Sequence, residues 1–194
     1  MRIPVLDELK SLGVEGYLVG GVVRDFLLNP SQPLELTDLD ITIAGDAVAV
    51  ALQIVERSDK FQILETYPNF GTAKLLYNGT LVLDFASTRT ESYAGCGSLP
   101  QVEQLGVPLS QDVLRRDFTI NTLALSLSNL DTVIDTCGGQ ADLSARTIRL
   151  LKPGSFLEDP SRILRALRFA ARLGFVWAED THHQPVREEQ IPDF

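Results

Sequence analysis

The sequence predicts an α/β domain built on a mixed β-sheet with flanking helices and followed by the start of a helical extension. Three stretches carry that expectation. An apolar strand runs into Gly20-Gly21 and then a helix-like segment (YLVGGVVRDFL, Tyr17 to Leu27). A second strand, LTDLDITI, holds Asp38 and Asp40 with one residue between them. TAKLLY and TLVLDFA flank Asn78-Gly79, the preferred pair for a two-residue type I′ hairpin. With 194 residues, 44% of them hydrophobic, the chain can bury one real core.

In chain order, the patterns predict a short helix near 4–12, a strand at 16–19, a helix at 21–28 and the Asp38/Asp40 strand at 38–43. Gly45-Asp46 then opens an alanine- and valine-rich helix to about Arg57, and the hairpin runs from Gly71 to Ala86. Gly95, Gly97, Pro100 and Pro108 make residues 90–110 a long mobile loop, and such loops inside compact domains are usually functional. A helix is expected around 111–126, a strand near 132–135, a turn at Gly138-Gly139 and a strand near 146–151. Asp159-Pro160 then provides an N-cap and a first helical residue. Ile163, Leu164, Leu167, Ala170 and Ala171 form that helix's apolar stripe, Arg165, Arg168 and Arg172 share another face, and Gly174 closes it.

Composition narrows the function. No apolar run approaches a membrane span and the N-terminus lacks a signal-like pattern, so a cytoplasmic protein with no membrane partner is expected. Cys96 and Cys137 lack metal-ligand spacing, and the adjacent His182 and His183 read as solvent-exposed. A net charge of −9 argues against a generic nucleic-acid binder. Its distribution is uneven: residues 1–56 carry net −6, whereas residues 142–172 carry net +4. An acidic half that needs cations and a basic half that meets phosphates suits a metal-dependent enzyme acting on RNA.

Side chains at i and i+2 of a strand share a face roughly 6.5–7 Å apart, so Asp38 and Asp40 can both reach a divalent cation. Like charges so placed need a positive partner. The free N–H groups of a helix opened by Gly20-Gly21 suit an anion such as a triphosphate. Alone, a DxD is more often a turn or a solvated strand end, and Gly-Gly just a tight connection. The order and spacing are more specific. Gly20-Gly21 with Arg24-Asp25, followed by Asp38-x-Asp40, resembles the signature of polymerase-beta-like nucleotidyltransferases. The fuller string GGVVRDFLL…TDLDITI is similar to their class II tRNA branch: CCA-adding enzymes, their CC-adding and A-adding relatives, and bacterial poly(A) polymerases.

Further strings extend the resemblance. Asp84, in VLDFAS, reads either as a hydrogen-bonded strand-end aspartate or as a third catalytic acid, and it stands five positions before Arg89 as the class II pattern has it. RRDFTIN (Arg115 to Asn121) reads as a surface ion-pair network or, by the resemblance, as the motif that contacts the incoming nucleotide through Arg116, Asp117 and Asn121. FLEDPSRILRALRFAARLGF places Asp159 and Arg162 three apart. The resemblance makes them a template for the base edges of CTP and ATP, a role that competes with Asp159 as an N-cap. The 90–110 region is similar to the family's flexible segment, which CC-adding enzymes shorten; here it is uncut, which favours terminal A or full CCA addition.

The resemblance therefore implies a polymerase-beta-like head over residues 1–155, the start of a helical neck over 156–176, and a poorly ordered tail over 177–194. It implies Mg²⁺ on Asp38 and Asp40, Asp84 as further catalytic acid, and nucleotide contacts from Gly20, Gly21, Arg24, Arg116, Asp117, Asn121, Asp159 and Arg162. The activity implied is addition of CMP or AMP to the 3′ end of tRNA. A poly(A) polymerase and a truncated, non-catalytic nucleotide- or partner-binding module are the alternatives. Family members continue into body and tail regions that grip tRNA, whereas VREEQIPDF shows no helical periodicity. Weak tRNA binding is thus expected, with self-association or a partner chain supplying RNA-binding regions.

Overall fold

The computed structural model of the chain describes residues 3–31 and 36–183. The elements run α1 (Pro4–Ser11), β1 (Gly16–Val19), α2 (Gly21–Leu28), β2 (Asp38–Ile43), α3 (Ala47–Arg57), β3 (Phe61–Tyr67), β4 (Thr72–Tyr77) and β5 (Leu81–Ser87). There follow β6 (Arg89–Ser92), β7 (Gln101–Leu105), α4 (Leu109–Asp112), β8 (Ala124–Ser126), β9 (Asn129–Ile134), α5 (Gly139–Ser144), β10 (Thr147–Ile148), α6 (Ser155–Glu158), α7 (Ser161–Leu173), β11 (Val176–Trp177) and α8 (Glu179–His182). Seven strands form the main sheet in the order β3-β4-β5-β2-β1-β8-β9. β2 and β5 pair in parallel and the other neighbours are antiparallel, so the sheet is mixed.

Alternation along β2, β4 and β5 puts Leu39, Ile41, Ala73, Leu75, Leu83 and Phe85 on a buried face. Ala47, Ala51 and Ile54 of α3 and Val5, Leu6 and Leu9 of α1 join them in one core. The opposite face of β2 stays open, with Asp38 and Asp40 exposed on either side of buried Leu39. Asp46 caps α3 as its sequence suggests, its Oδ1 accepting from the N–H groups of Val48 (2.9 Å) and Ala49 (3.0 Å). Asn78 (φ 48°) and Gly79 (φ 70°) both take the left-handed conformation that a type I′ turn demands.

Four expectations are corrected. The strand β3 was not anticipated; a register shift between Ile63 and Glu65 breaks the two-residue alternation and leaves Leu64 exposed. The supposed loop of 90–110 is instead a second hairpin, β6–β7, with Gly95, Gly97 and Pro100 confined to its connection. The supposed helix of 111–126 is one turn of α4, two 3₁₀ turns (Val113–Arg115 and Thr119–Asn121) and β8. There the Asp117 carboxylate takes the Phe118 N–H (2.8 Å) and the Asn121 amide (3.0 Å), offering the backbone an alternative to the helical ladder. Finally, the stripe read onto α7 faces the wrong way. Its buried residues are Arg162, Ala166 and Phe169, while Leu164 and Leu167 are 56% and 53% exposed.

Phe169 sets that orientation by packing edge-on against Phe118 at 5.8 Å, which brings Arg165 to Asp117 and Arg172 to Asp25. Of the expected tail, residues 177–183 are folded. β11 pairs with β10, Trp177 lies 5.9 Å from the Phe156 ring, and Thr181 Oγ1 accepts from the Leu150 N–H at 3.0 Å. VREEQIPDF lies outside the described residues. Among the described residues no helix is long and apolar enough to cross a membrane.

Candidate active site

Strand pairing assembles the acidic wall. The parallel β2/β5 register sets Asp40 directly opposite Asp84, and the antiparallel β4/β5 register sets Lys74 opposite Asp84. Lys74 Nζ lies 3.2 Å from Asp84 Oδ1, so one cross-strand row reads Lys74, Asp84, Asp40. Asp38 shares the face and accepts from the Thr37 hydroxyl at 2.7 Å. Gly20, with φ 76°, turns β1 into α2 against this wall, and a Cβ there would stand 3.0 Å from Asp40 Oδ2. Glycine is required both by that contact and by the left-handed backbone. Crowding by the surrounding protein, then the charges of Asp84 and Asp38, push the Asp40 carboxyl above its ordinary value, although Arg116 and Arg165 pull the other way.

Uncompensated negative charge on hard carboxylate oxygens is what a divalent cation relieves, so the donor chemistry fits. Among the described residues no three His, Cys, Asp or Glu side chains close around a common metal position. Asp38 and Asp40 are the pair that shares a strand face, and Asp84 is engaged by Lys74.

Asp40 opens on three clefts, of about 550, 420 and 290 Å³. The first is walled by arginines from α2, the segment after α4, and α7. Arg24 is buried; its Nε donates to Asp25 Oδ1 and its Nη1 to Asn121 Oδ1, both at 2.8 Å, and its guanidinium sits 5.0 Å from the Phe169 ring centre. Burial lowers its pKa while Asp25 opposes the shift. Asp117 holds the network together: Oδ1 takes Phe118 N–H and Asn121, and Oδ2 takes Arg165 Nε (2.8 Å) and Nη2 (2.7 Å). The residues predicted from RRDFTIN thus meet Arg24, predicted from another motif, in one cluster. Arg116 Nη2 is shared between Thr42 Oγ1 (3.2 Å) and Asp112 Oδ2 (3.1 Å), and its buried Nε has no partner.

Asp159 and Arg162 also border this cleft. Asp159 Oδ1 accepts from the Ser161 N–H (3.0 Å) and hydroxyl (2.6 Å), so it caps the first turn of α7 although Pro160 holds the N-cap position. Arg162, buried, donates to Ser155 Oγ, to the Arg115 carbonyl (2.9 Å) and to the Tyr93 hydroxyl (3.3 Å). Its Nε lies 3.7 Å from Asp159 Oδ2. Arg89, five positions after Asp84, pairs with Glu91 (2.7 Å) and donates to the Phe70 carbonyl (2.6 Å).

Sequence reasoning missed Asp112, whose fully buried carboxylate takes the Arg89 N–H, Arg115 and Arg116. It also missed Glu91, which pairs with Arg89 and Arg115, and Lys74. Asp112 had its spacing of three and four from Arg115 and Arg116 to mark it, whereas Glu91 meets Arg115 only through the chain reversal of β6–β7. Lys74 had only its alternation along β4 to mark it.

A family profile described as "Poly A polymerase head domain" matches residues 16–149, spanning the acidic wall, the glycine turn and the Arg115–Asn121 segment. The chain belongs to that family. This head-domain chain is 45% identical over 170 residues to an A-adding tRNA nucleotidyltransferase of Aquifex aeolicus, covering 87% of the chain and 20% of that protein. It is 40% identical over 189 residues to an A-adding tRNA nucleotidyltransferase of Geobacter sulfurreducens, covering 93% and 21%. Its fold is similar to a tRNA nucleotidyltransferase solved with a primer tRNA and an incoming ATP analogue, with a TM-score of 0.72, 41% identity, and coverage of 92% and 47%. The chain spans about a fifth of the length of the two curated relatives and about half of the solved one.

Proposed function

We propose that this chain is the catalytic head of an enzyme that adds AMP, or CMP and AMP, to the 3′ end of tRNA. The observation that carries the reading is Asp40 set opposite Asp84 on an open sheet face, at the lip of an arginine-walled cleft of about 550 Å³. The cleft takes CTP or ATP and the sheet face takes the RNA hydroxyl. Asp38 and Asp40 would hold the divalent cation, Mg²⁺ by the oxygen chemistry of the pair. When bound, it supplies charge to the triphosphate and lowers the proton affinity of the attacking hydroxyl.

The chain's own residues do the rest. Arg116 lines the cleft beside Asp40 and offers its guanidinium charge to triphosphate oxygens, and the first-turn N–H groups of α2, freed by Gly20 and Gly21, face the same anion. The network of Arg24, Asn121, Asp117 and Arg165 fixes the wall, so its charges need no reorganisation as the transition state forms. The 3′-oxygen of the RNA bonds to the α-phosphorus, the bond to the pyrophosphate oxygen breaks, and pyrophosphate leaves. Lys74 sits on Asp84 Oδ1, which leaves Oδ2 to accept the hydroxyl proton. Asp159 and Arg162 face the base end of the cleft, held there by Ser161 and Ser155.

Residues 1–155 act as the head and α7 begins the neck. The protein works in the cytoplasm, and RNA-gripping surface comes from further chain, a second copy or a partner. The uncut hairpin β6–β7 favours terminal A or full CCA addition, and the similarity to proteins named A-adding favours the former. The test uses tRNA transcripts ending before CCA, after one C and after CC, with Mg²⁺ and labelled CTP or ATP, and an Asp40→Ala control. A on the CC-ended transcript alone means A addition, and stepwise C, C, A means full CCA addition. Incorporation by the Asp40→Ala protein refutes the assignment.

A further inference from the structure

The second cleft at Asp40, about 420 Å³, is floored by the open face of the sheet, with Arg115 and Arg116 at one edge. The strand registers lay out two rows on that face. One runs Glu65, Lys74, Asp84, Asp40 and the other Tyr67, Thr72, Ala86, Thr42. The first row is charged throughout, whereas the second has a floor of small side chains between an aromatic wall and Thr42. Tyr67 is that wall. It is 51% exposed at the end of β3, and its hydroxyl donates to Glu65 Oε2 at 3.1 Å, which fixes the ring beside the trough.

Resting on the function proposed above, we propose that Tyr67 is the stacking platform for the 3′-terminal base of the RNA. The attacking hydroxyl must meet the α-phosphate at Asp40; the triphosphate takes the first cleft and the third lies behind Asp38 against Arg24, Asp25 and Arg172, so the RNA end approaches over the second, where Asp84 also opens. Tyr67 stands two strands and one row from Asp84, roughly 12 Å between Cα atoms at ordinary strand spacing and rise, so the two side chains can bracket one nucleoside with its hydroxyl at the carboxylates. Small Thr72 and Ala86 leave room for a flat base, and Lys74, at the trough's charged edge, lies within reach of the terminal phosphate. Tyr67 is a positioning residue: it touches the base and leaves the reacting atoms to the carboxylates.

The test is a short RNA ending in 2-aminopurine, whose fluorescence is quenched by stacking, titrated with wild-type, Tyr67→Phe and Tyr67→Ala protein, with ATP incorporation followed in parallel. Stacking is worth roughly 5- to 150-fold in affinity per base. The wild type and Tyr67→Phe should quench alike. Tyr67→Ala should bind the RNA more weakly within that range, raising KM for RNA while KM for ATP stays within about twofold, as the stack serves the RNA alone. Unchanged quenching in Tyr67→Ala, or no quenching in the wild type, overturns the proposal. Incorporation without quenching leaves the transferase reading standing and removes the stack. Quenching without incorporation keeps the stack and counts against transfer by this chain alone.

Discussion

The two walls that meet at Asp40 handle charge in opposite ways. On the sheet, Asp38, Asp40 and Asp84 face open space, Lys74 pairs with Asp84, and Asp40 holds its proton more tightly than an ordinary carboxyl. On the other side nearly every arginine is already committed: Arg24 and Arg172 to Asp25, Arg115 to Asp112 and Glu91, Arg165 to Asp117, and Arg162 to Ser155 and the Arg115 carbonyl. The acidic wall is therefore poised for a ligand that brings positive charge. The basic wall is a rigid frame in which residue type alone does not reveal which arginine meets the substrate. Arg116, held to one carboxylate through Nη2, and Arg168, lying over Phe169 with no carboxylate partner among the described residues, are the cleft arginines least committed.

Neutralising the acidic wall should have the largest effect. Asp40→Asn is expected to cut nucleotide incorporation at least about a hundredfold, because metal-assisted stabilisation is worth several kcal/mol of barrier. It should not weaken the fold. A carboxyl whose folded pKa is raised contributes most to stability below its ordinary value of 3.8, and that contribution is lost as pH rises through the folded pKa. In divalent-free buffer at neutral pH, Asp40→Asn should thus melt no lower than the wild type, and the two curves should converge in acid. Solvent screening keeps the gap small. A clear loss of Tm at neutral pH would mean that Asp40 is a structural residue.

The basic wall should break in the converse way. Arg162 is buried with three hydrogen-bonded acceptors, and Arg162→Ala strands them, for a cost of about 3 kcal/mol in urea denaturation. Arg162→Lys should recover little, since an ammonium cannot span the same fork. Full stability in Arg162→Ala would show that these bonds merely replace water.

How much of this was legible depends on how local the determining physics is. β1, α2, β2, α3 and the Asn78-Gly79 hairpin follow from alternation, an aspartate cap and a turn pair, all decided within a few residues, and the structure has them where expected. The strand β3 was hidden by its bulge, and the 111–126 segment by an apolar content that suits a helix as well as two 3₁₀ turns. α7 misled for a tertiary reason. Its isolated pattern points Leu164 and Leu167 inward, but Phe169 docking on Phe118 and the pull of Asp117 and Asp25 rotate it. The candidate site was readable as a set of motifs. Its wiring was not, because Asp112, Glu91 and Lys74 act through partners set by strand register and chain reversal.

A divalent titration sharpens the contrast at smaller amplitude. At ten times its dissociation constant, Mg²⁺ should stabilise the wild type by about 1.4 kcal/mol, or roughly 3–6 °C in Tm for a chain of this size. Asp40→Asn should show little of that gain. An equal rise in both proteins would place the cation away from the acidic wall.

The smallest effect separates framing arginines from contacting ones. Arg168 is exposed, touches Phe169 through its guanidinium at 5.7 Å, and borders the triphosphate cleft. Losing a solvent-screened charge contact costs about 0.2–1 kcal/mol, so Arg168→Ala should raise KM for ATP up to about fivefold and leave Tm unchanged. Arg165→Ala, which releases Asp117, should instead lower Tm along with activity, because the Asp117 carboxylate also holds the backbone turn at Phe118. If Arg168→Ala moved Tm and spared KM, the basic wall would be frame throughout, and Arg116 with the α2 N-terminus would have to bind the triphosphate alone.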